Sequence, residues 1–137
     1  MEKVGIGILN QLSELHKVNE TLEQLGKKWG LETPVLMSLN LCVEEALTNV
    51  IRYAYTEEAK YQINITFEHG PQEVGIIVED EGKAFNPLEE VMEPDVSAQI
   101  ENRPIGGLGV FLIRQFMDEV TYQRIGNINQ LRMLKRI

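Results

Sequence analysis

Tyr61, Ile63, Ile65 and Phe67 alternate with polar residues, and after the turn-forming string His69-Gly70-Pro71-Gln72 the chain returns as the more apolar run Val74 to Asp80. Alternation at period two places the apolar side chains on one face of a strand. A half-polar strand joined by a tight turn to a richer one predicts an antiparallel hairpin whose apolar face needs a cover. Two upstream stretches supply it. Leu12, Leu15, Val18, Leu22 and Leu25 recur at helical spacing with Glu14, Lys17, Glu20, Glu23 and Lys27 opposite, Ser13 as the expected cap and Gly26 and Gly30 marking the end. Thr33-Pro34 then opens a second helix, with Thr at the cap and Pro at the first helical position, whose stripe is Leu36, Leu39, Val43, Ala46, Leu47, Val50 and Ala54.

Lys3 to Leu9 alternates weakly and predicts an edge strand. Leu108, Phe111, Leu112, Gln115 and Phe116 suit a helix starting at a glycine-rich turn, and Val120 to Ile125 with Leu131 to Ile137 suit a closing hairpin through Gly126-Asn127. Residues 84–105 carry Pro87, Pro94 and Pro104 and no sustained period. So long an excursion inside a compact chain is usually a functional lid. The whole predicts an α/β (α+β) two-layer sandwich over residues 1–137: one domain, with two or three helices on one face of a mixed, mostly antiparallel sheet.

A formal charge of −8 argues against nucleic acid, which needs a basic face to release counterions. The same acidity means that an anionic ligand must find its own local cations. Cys42 is the single cysteine, so an intramolecular disulfide and a thiolate metal cluster are excluded, and its place in the apolar run Leu39 to Val43 fits an inert buried thiol. No apolar run reaches membrane-spanning length and no signal-type leader opens the chain, so the expectation is a cytoplasmic protein without a membrane contact. His16 and His69 lie far apart in sequence, both are expected to be solvated, and no metal site follows from them.

Three strings carry the chemistry. Glu45 and Asn49 are four apart on the second helix and stack on one side, with Arg52 a turn further on. A Glu there can take a proton from a hydroxyl, an Asn carbonyl is a hard ligand suited to magnesium, and Arg52 can meet a phosphate. The plain alternative is a solvated polar face, against which stand the apolar neighbours Ala46, Leu47, Val50 and Ile51. Asp80, followed by Glu81 and Gly82, ends a buried strand. Its carboxylate can accept the exocyclic amine of adenine, and Gly82 allows close backbone approach or positive φ; the alternative is an ordinary turn. Gly106-Gly107-Leu108-Gly109 precedes a helix, where free N–H groups and the helix dipole favour an anion. It is neither a Walker loop nor a dinucleotide fingerprint.

Glu-x-x-x-Asn, Asp-x-Gly-x-x-Phe ending at Phe85, and Gly-x-Gly opening a helix, in this order, resemble the GHKL (histidine kinase-like) ATPase superfamily with its Bergerat fold. Val43-Glu44-Glu45-Ala46-Leu47-Thr48-Asn49 and Phe116-Met117-Asp118-Glu119-Val120 are most similar to the anti-sigma-factor serine/threonine kinases of partner-switching systems. The resemblance implies that Glu45 is the general base, Asn49 the ligand of Mg2+, and Asp80 with Gly82 the adenine site of ATP. It extends the nucleotide site to Arg52, Phe85, Arg103, Gly106, Gly107, Leu108, Gly109 and Val110, with residues 84–105 as the ATP lid.

It further implies a kinase that phosphorylates a small antagonist (anti-anti-sigma) protein, binds a sigma factor in its other state, and admits a homodimer. The alternatives are an ATP-dependent binding switch that sequesters a partner with little turnover, and an ATPase or histidine-kinase module. Three positions depart from the family pattern. Ile105 stands where many relatives carry Arg, leaving Arg103 as the nearest basic residue; Tyr53 replaces a His; and Asn129-Gln130 replaces a Gly-Thr in the last hairpin.

Overall fold

A computed structural model describes residues 2–55, 60–90 and 107–137. Strand β1 (Glu2–Leu9) leads through a single 3-10 turn (Leu12–Glu14) into helix α1 (Leu15–Trp29). Helix α2 (Thr33–Asn49) follows and runs on without a break into a π-helical turn, Val50–Ala54. Strands β2 (Gln62–His69) and β3 (Glu73–Asp80) form the first hairpin; a short helix α3 (Pro87–Glu90), helix α4 (Gly107–Phe116) and the hairpin β4 (Glu119–Ile125) and β5 (Ile128–Arg136) complete the described chain.

The five strands lie in the order β1-β2-β3-β5-β4, and every neighbouring pair is antiparallel. The expected mixed pairing is therefore not found among the described strands. The crossover from β3 through α4 does bring β4 back parallel to β3. Strand β5, the return arm of the last hairpin, inserts between them and pairs antiparallel with both. β1 is an edge strand, as its weak alternation predicts.

One face of the sheet carries Ile63, Ile65 and Phe67 from β2, Val74, Ile76 and Val78 from β3, and Leu131 and Met133 from β5, all buried beneath the helices. Removing any one of these larger side chains typically costs about 2–5 kcal/mol, since neighbours only partly fill the void. Helix α2 packs against both α1 and α4, and for that reason it is apolar around much of its girth. Cys42 is fully buried there and burial pushes its thiol up to about 11, which makes it inert.

Neither long helix starts from its expected cap: Thr33 is already the first residue of α2, with Glu32 at the cap position and no side-chain cap bond. Ser13 does not cap the helix: α1 starts after Glu14, and no side chain caps it. Leu12 sits in the preceding 3-10 turn and is 48% exposed, outside the buried stripe of Val18, Leu22 and Leu25. Gly26 is interior to the helix and does not end it. A Cβ at that position would lie 2.9 Å from Leu36 Cδ1, so the missing side chain lets α2 approach. Gly30 alone forms the left-handed end, at φ 66°, while the Leu31 N–H returns to the Gly26 carbonyl at 2.9 Å. His69, expected in solvent, closes β2 and stacks on Trp29 with ring centroids 4.8 Å apart. The indole covers one face of the imidazole and leaves the ring partly exposed.

Candidate functional site

Helix α2 lies between α1 and α4, so its last turns are covered on two sides, and this decides the state of its polar residues. Glu45 is half-buried, Glu44 beside it is exposed, and Arg52, seven residues on, is exposed on the same side of the helix. Burial pushes the Glu45 carboxyl above the usual carboxylate range; the neighbouring Glu44 charge pushes the same way and Arg52 opposes.

Asn49, one turn after Glu45, is only 1% exposed. Neither its Oδ1 nor its Nδ2 has a hydrogen-bond partner among the described residues. A buried amide left unpaired costs about 1–3 kcal/mol, so the site carries an unsatisfied group that a hard cation or a polar ligand atom would satisfy. Directly after Asn49 the helix widens into the π-helical turn, a distortion common where helices present side chains to ligands.

That turn delivers the Ala54 carbonyl to the loop after β3, where it accepts the Lys83 N–H at 2.9 Å. A Cβ on residue 82 would fall 2.5 Å from that carbonyl oxygen and 2.9 Å from the Ala54 Cβ, so only glycine fits. Gly82 is thus held by close approach to the chain's own backbone, and its φ is not positive. Through this contact the end of α2 and the end of β3 meet.

Asp80 has the same parity on β3 as Val74, Ile76 and Val78, so its side chain turns toward the helices and is 3% exposed. Its Oδ1 accepts the Gly82 N–H at 2.8 Å and the Asn129 Nδ2 at 3.0 Å. Burial raises its pKa, and the Asn129 and Gly82 hydrogen bonds and the Arg124 charge work against that. Glu79 and its strand partner Asn64 have the opposite parity, so the cavity they line opens on the face of the sheet away from the helices and is not the pocket the Asp80 carboxylate faces. Tyr55 lies close enough for the Asp80 charge to add to the burial that pushes its phenol up to about 12, and its ring stacks on Tyr61 at 5.0 Å.

The other residues of the expected site fall in different places. Phe85 is buried in the core and stacks on Tyr53 at 5.5 Å, so an aromatic at position 53 serves as packing where relatives carry His. Val110 is also a core side chain, at 1% exposed, and only its backbone could face a ligand. Gly107, Leu108 and Gly109 form the first turn of α4, and this helix packs on α2. The N–H groups of that turn are therefore carried beside the helix that bears Glu45 and Asn49. Arg103, Gly106 and positions 91–105 of the expected lid lie outside the described residues; its start contains α3, whose Leu88 carbonyl accepts Arg114 Nη2 at 2.9 Å.

Tyr55, Arg124 and Asn129 were not picked out as site residues by sequence reasoning. Asn129 gave a signal, as a departure from the family pattern; Tyr55 and Arg124 gave none, because what places them is strand register and the turn after α2.

A family model described as histidine kinase-like ATPase domain matches residues 8–135. Serine/threonine-protein kinase BtrW of Bordetella bronchiseptica is 31% identical over 110 residues, which is 80% of this chain and 77% of that protein. Serine-protein kinase RsbW of Bacillus thuringiensis is 28% identical over 122 residues, 87% of this chain and 76% of that one. Among solved structures, a chain of the SiaB–SiaC complex from Pseudomonas aeruginosa matches with TM-score 0.61 at 11% identity, covering 98% of this chain and 89% of that chain. The histidine kinase AdeS of Acinetobacter baumannii matches with TM-score 0.53 at 17% identity, over 96% and 67%. At these identities the structural likeness is one of fold.

Proposed function

This chain belongs to the histidine kinase-like ATPase domain family, and on that premise we propose that it transfers the γ-phosphate of ATP to a serine or threonine of a small antagonist protein in a partner-switching system. The observation that carries the reading is the buried Asn49 amide, without a partner among the described residues, one helical turn from a half-buried Glu45. Serine kinases among the relatives support it.

Each residue has a stated task. Asp80 accepts the exocyclic amine of adenine, which excludes guanine by presenting an acceptor to an acceptor. The free N–H groups of the first turn of α4 and the Arg52 guanidinium meet the phosphates. Asn49 Oδ1 would hold Mg2+, whose chemistry is to neutralise charge across the β- and γ-phosphates. Glu45 takes the proton from the incoming hydroxyl as its oxygen bonds to the γ-phosphorus; the bond from that phosphorus to the β–γ bridging oxygen breaks, and ADP leaves. Burial suits Glu45 to this role, because a carboxylate with a raised pKa is a stronger base.

The protein would work in the cytoplasm, with a sigma factor as second partner and homodimer formation open to it. Among the described residues no helix is long and apolar enough to cross a membrane. Incubating the native protein with γ-labelled ATP and a small serine-bearing antagonist protein tests the proposal. Phosphoserine or phosphothreonine on the antagonist is expected; tight ATP and partner binding without labelled product would replace the kinase by an ATP-dependent binding switch.

The metal ligand has its own test. Asn49→Ala is expected to remove the gain in ATP affinity that magnesium confers. It should leave unliganded thermal stability close to native, because among the described residues the amide makes no hydrogen bond to lose. Titrating nucleotide with and without magnesium reads this, and an undiminished magnesium effect would take Asn49 out of the metal site.

A further inference from the structure

Asn129 sits at the start of β5, directly opposite Asp80 on β3 and Arg124 on β4, and is 3% exposed. Its amide is saturated. Nδ2 donates to Asp80 Oδ1 at 3.0 Å and to the Lys83 carbonyl at 2.8 Å. Oδ1 accepts the Phe85 N–H at 3.2 Å, Arg124 Nη1 at 3.1 Å and the Tyr122 hydroxyl. Two neighbours can only donate, a backbone N–H and a guanidinium, and two can only accept, a carbonyl and a carboxylate. The orientation of the amide is therefore fixed by its surroundings. Arg124 Nη1 also donates to the Gly82 carbonyl at 2.9 Å, so residues 82, 83 and 85 are all tied to this one corner.

The consequence falls on Asp80. Both hydrogen bonds to its carboxylate, from Gly82 and Asn129, end on Oδ1, and among the described residues none reaches Oδ2. We propose that Asn129 is a positioning residue for base selection: it holds Oδ1 of Asp80 against Gly82 so that Oδ2 alone is presented to the exocyclic amine of a purine nucleotide. The inference rests on the reading of Asp80 as the base-recognising group and adds the residue that fixes its rotamer. Asparagine suits this role by chemistry. Threonine or serine has one donor, not two; aspartate has none and would set a second carboxylate against the first.

The test compares two nucleotides, ATP and the purine riboside triphosphate that lacks the exocyclic amine, on native protein, Asn129→Ala and Asn129→Ser. Native protein is expected to favour ATP by roughly 10- to 100-fold, as a charge-assisted hydrogen bond implies. Both variants are expected to bring that ratio to within about threefold while the amine-free analogue binds about as it does to native protein. The serine variant keeps a hydroxyl in the corner and serves if the alanine variant does not fold.

A variant that keeps the native ratio, or that loses affinity for both nucleotides equally, overturns the inference, because a purely structural residue would not act on the ratio. A native protein with no preference for ATP overturns the Asp80 reading itself, and with it this proposal. The two failures are thus told apart by which protein loses the ratio.

Discussion

Glu45→Gln is expected to reduce phosphoryl transfer to the antagonist protein by at least about 10²-fold while ATP affinity stays within a few-fold of native, since general-base catalysis contributes typically about 10²–10⁴. The substitution keeps size and hydrogen-bonding capacity at a half-buried position, so the loss isolates the base. Single-turnover transfer beside nucleotide binding by calorimetry separates the two effects. Transfer at the native rate would remove Glu45 from the chemistry.

The pH profile of the native protein carries the same argument. Burial and the Glu44 charge raise the Glu45 pKa, and Arg52 lowers it. The ionised form is the competent one, so the rate falls as pH drops through the native pKa, and this acid limb is expected above the usual glutamate range. Glu44→Gln should move the limb to lower pH and Arg52→Ala to higher pH. A limb unmoved by either would assign it to another group.

Asp80→Asn is expected to weaken ATP binding on the order of 10- to 100-fold, the loss of about 1.5–3 kcal/mol for a charge-assisted contact. It should do so without destabilising the fold. The native carboxylate is buried and its pKa is raised, so its ionised form is disfavoured in the folded state. With a folded pKa above the unfolded one, ionisation as pH rises costs stability, and the neutral amide avoids that cost. The melting temperature of Asp80→Asn is therefore expected at or above native near neutral pH. The difference should close as pH falls through the raised native value toward the ordinary aspartate value of 3.8. Stability scans across pH beside ATP titrations check both halves. A variant that unfolds on losing the charge would make Asp80 a structural residue.

Much of the architecture was legible because it is local. Ile63, Ile65 and Phe67 at period two and the α2 stripe from Leu39 to Ala54 come out buried as their spacing requires. The positions that depart from local expectation share a cause in tertiary context. Ser13 has the chemistry of a cap, but the chain first makes a 3-10 turn, and a cap depends on where the helix starts, not on residue type. Gly26 has the chemistry of a terminator because Gly is a poor helix residue; in α1 it is tolerated, at roughly 1 kcal/mol against Ala, where Leu36 needs the room. The sequence around Gly82 offers close approach or positive φ, but the neighbour it approaches, Ala54, comes from a distant turn that no local pattern names.

The sequence by itself determined the elements, the two hairpins and the spacing that puts Glu45, Asn49 and Arg52 along one side of a helix, because periodicity and turn chemistry act over a few residues. Only the tertiary structure decided that β5 inserts between β3 and β4. It alone decided that Asn49 is buried without a hydrogen-bond partner among the described residues, on a helix packed against both α1 and α4. It also decided that Asn129 grips Asp80 from 49 residues away and the Phe85 N–H from 44. Strand order and the pairing of buried polar groups are fixed by the chain closing on itself. The partners that satisfy or strand such a group come from elements far apart in sequence, and no local pattern encodes their meeting.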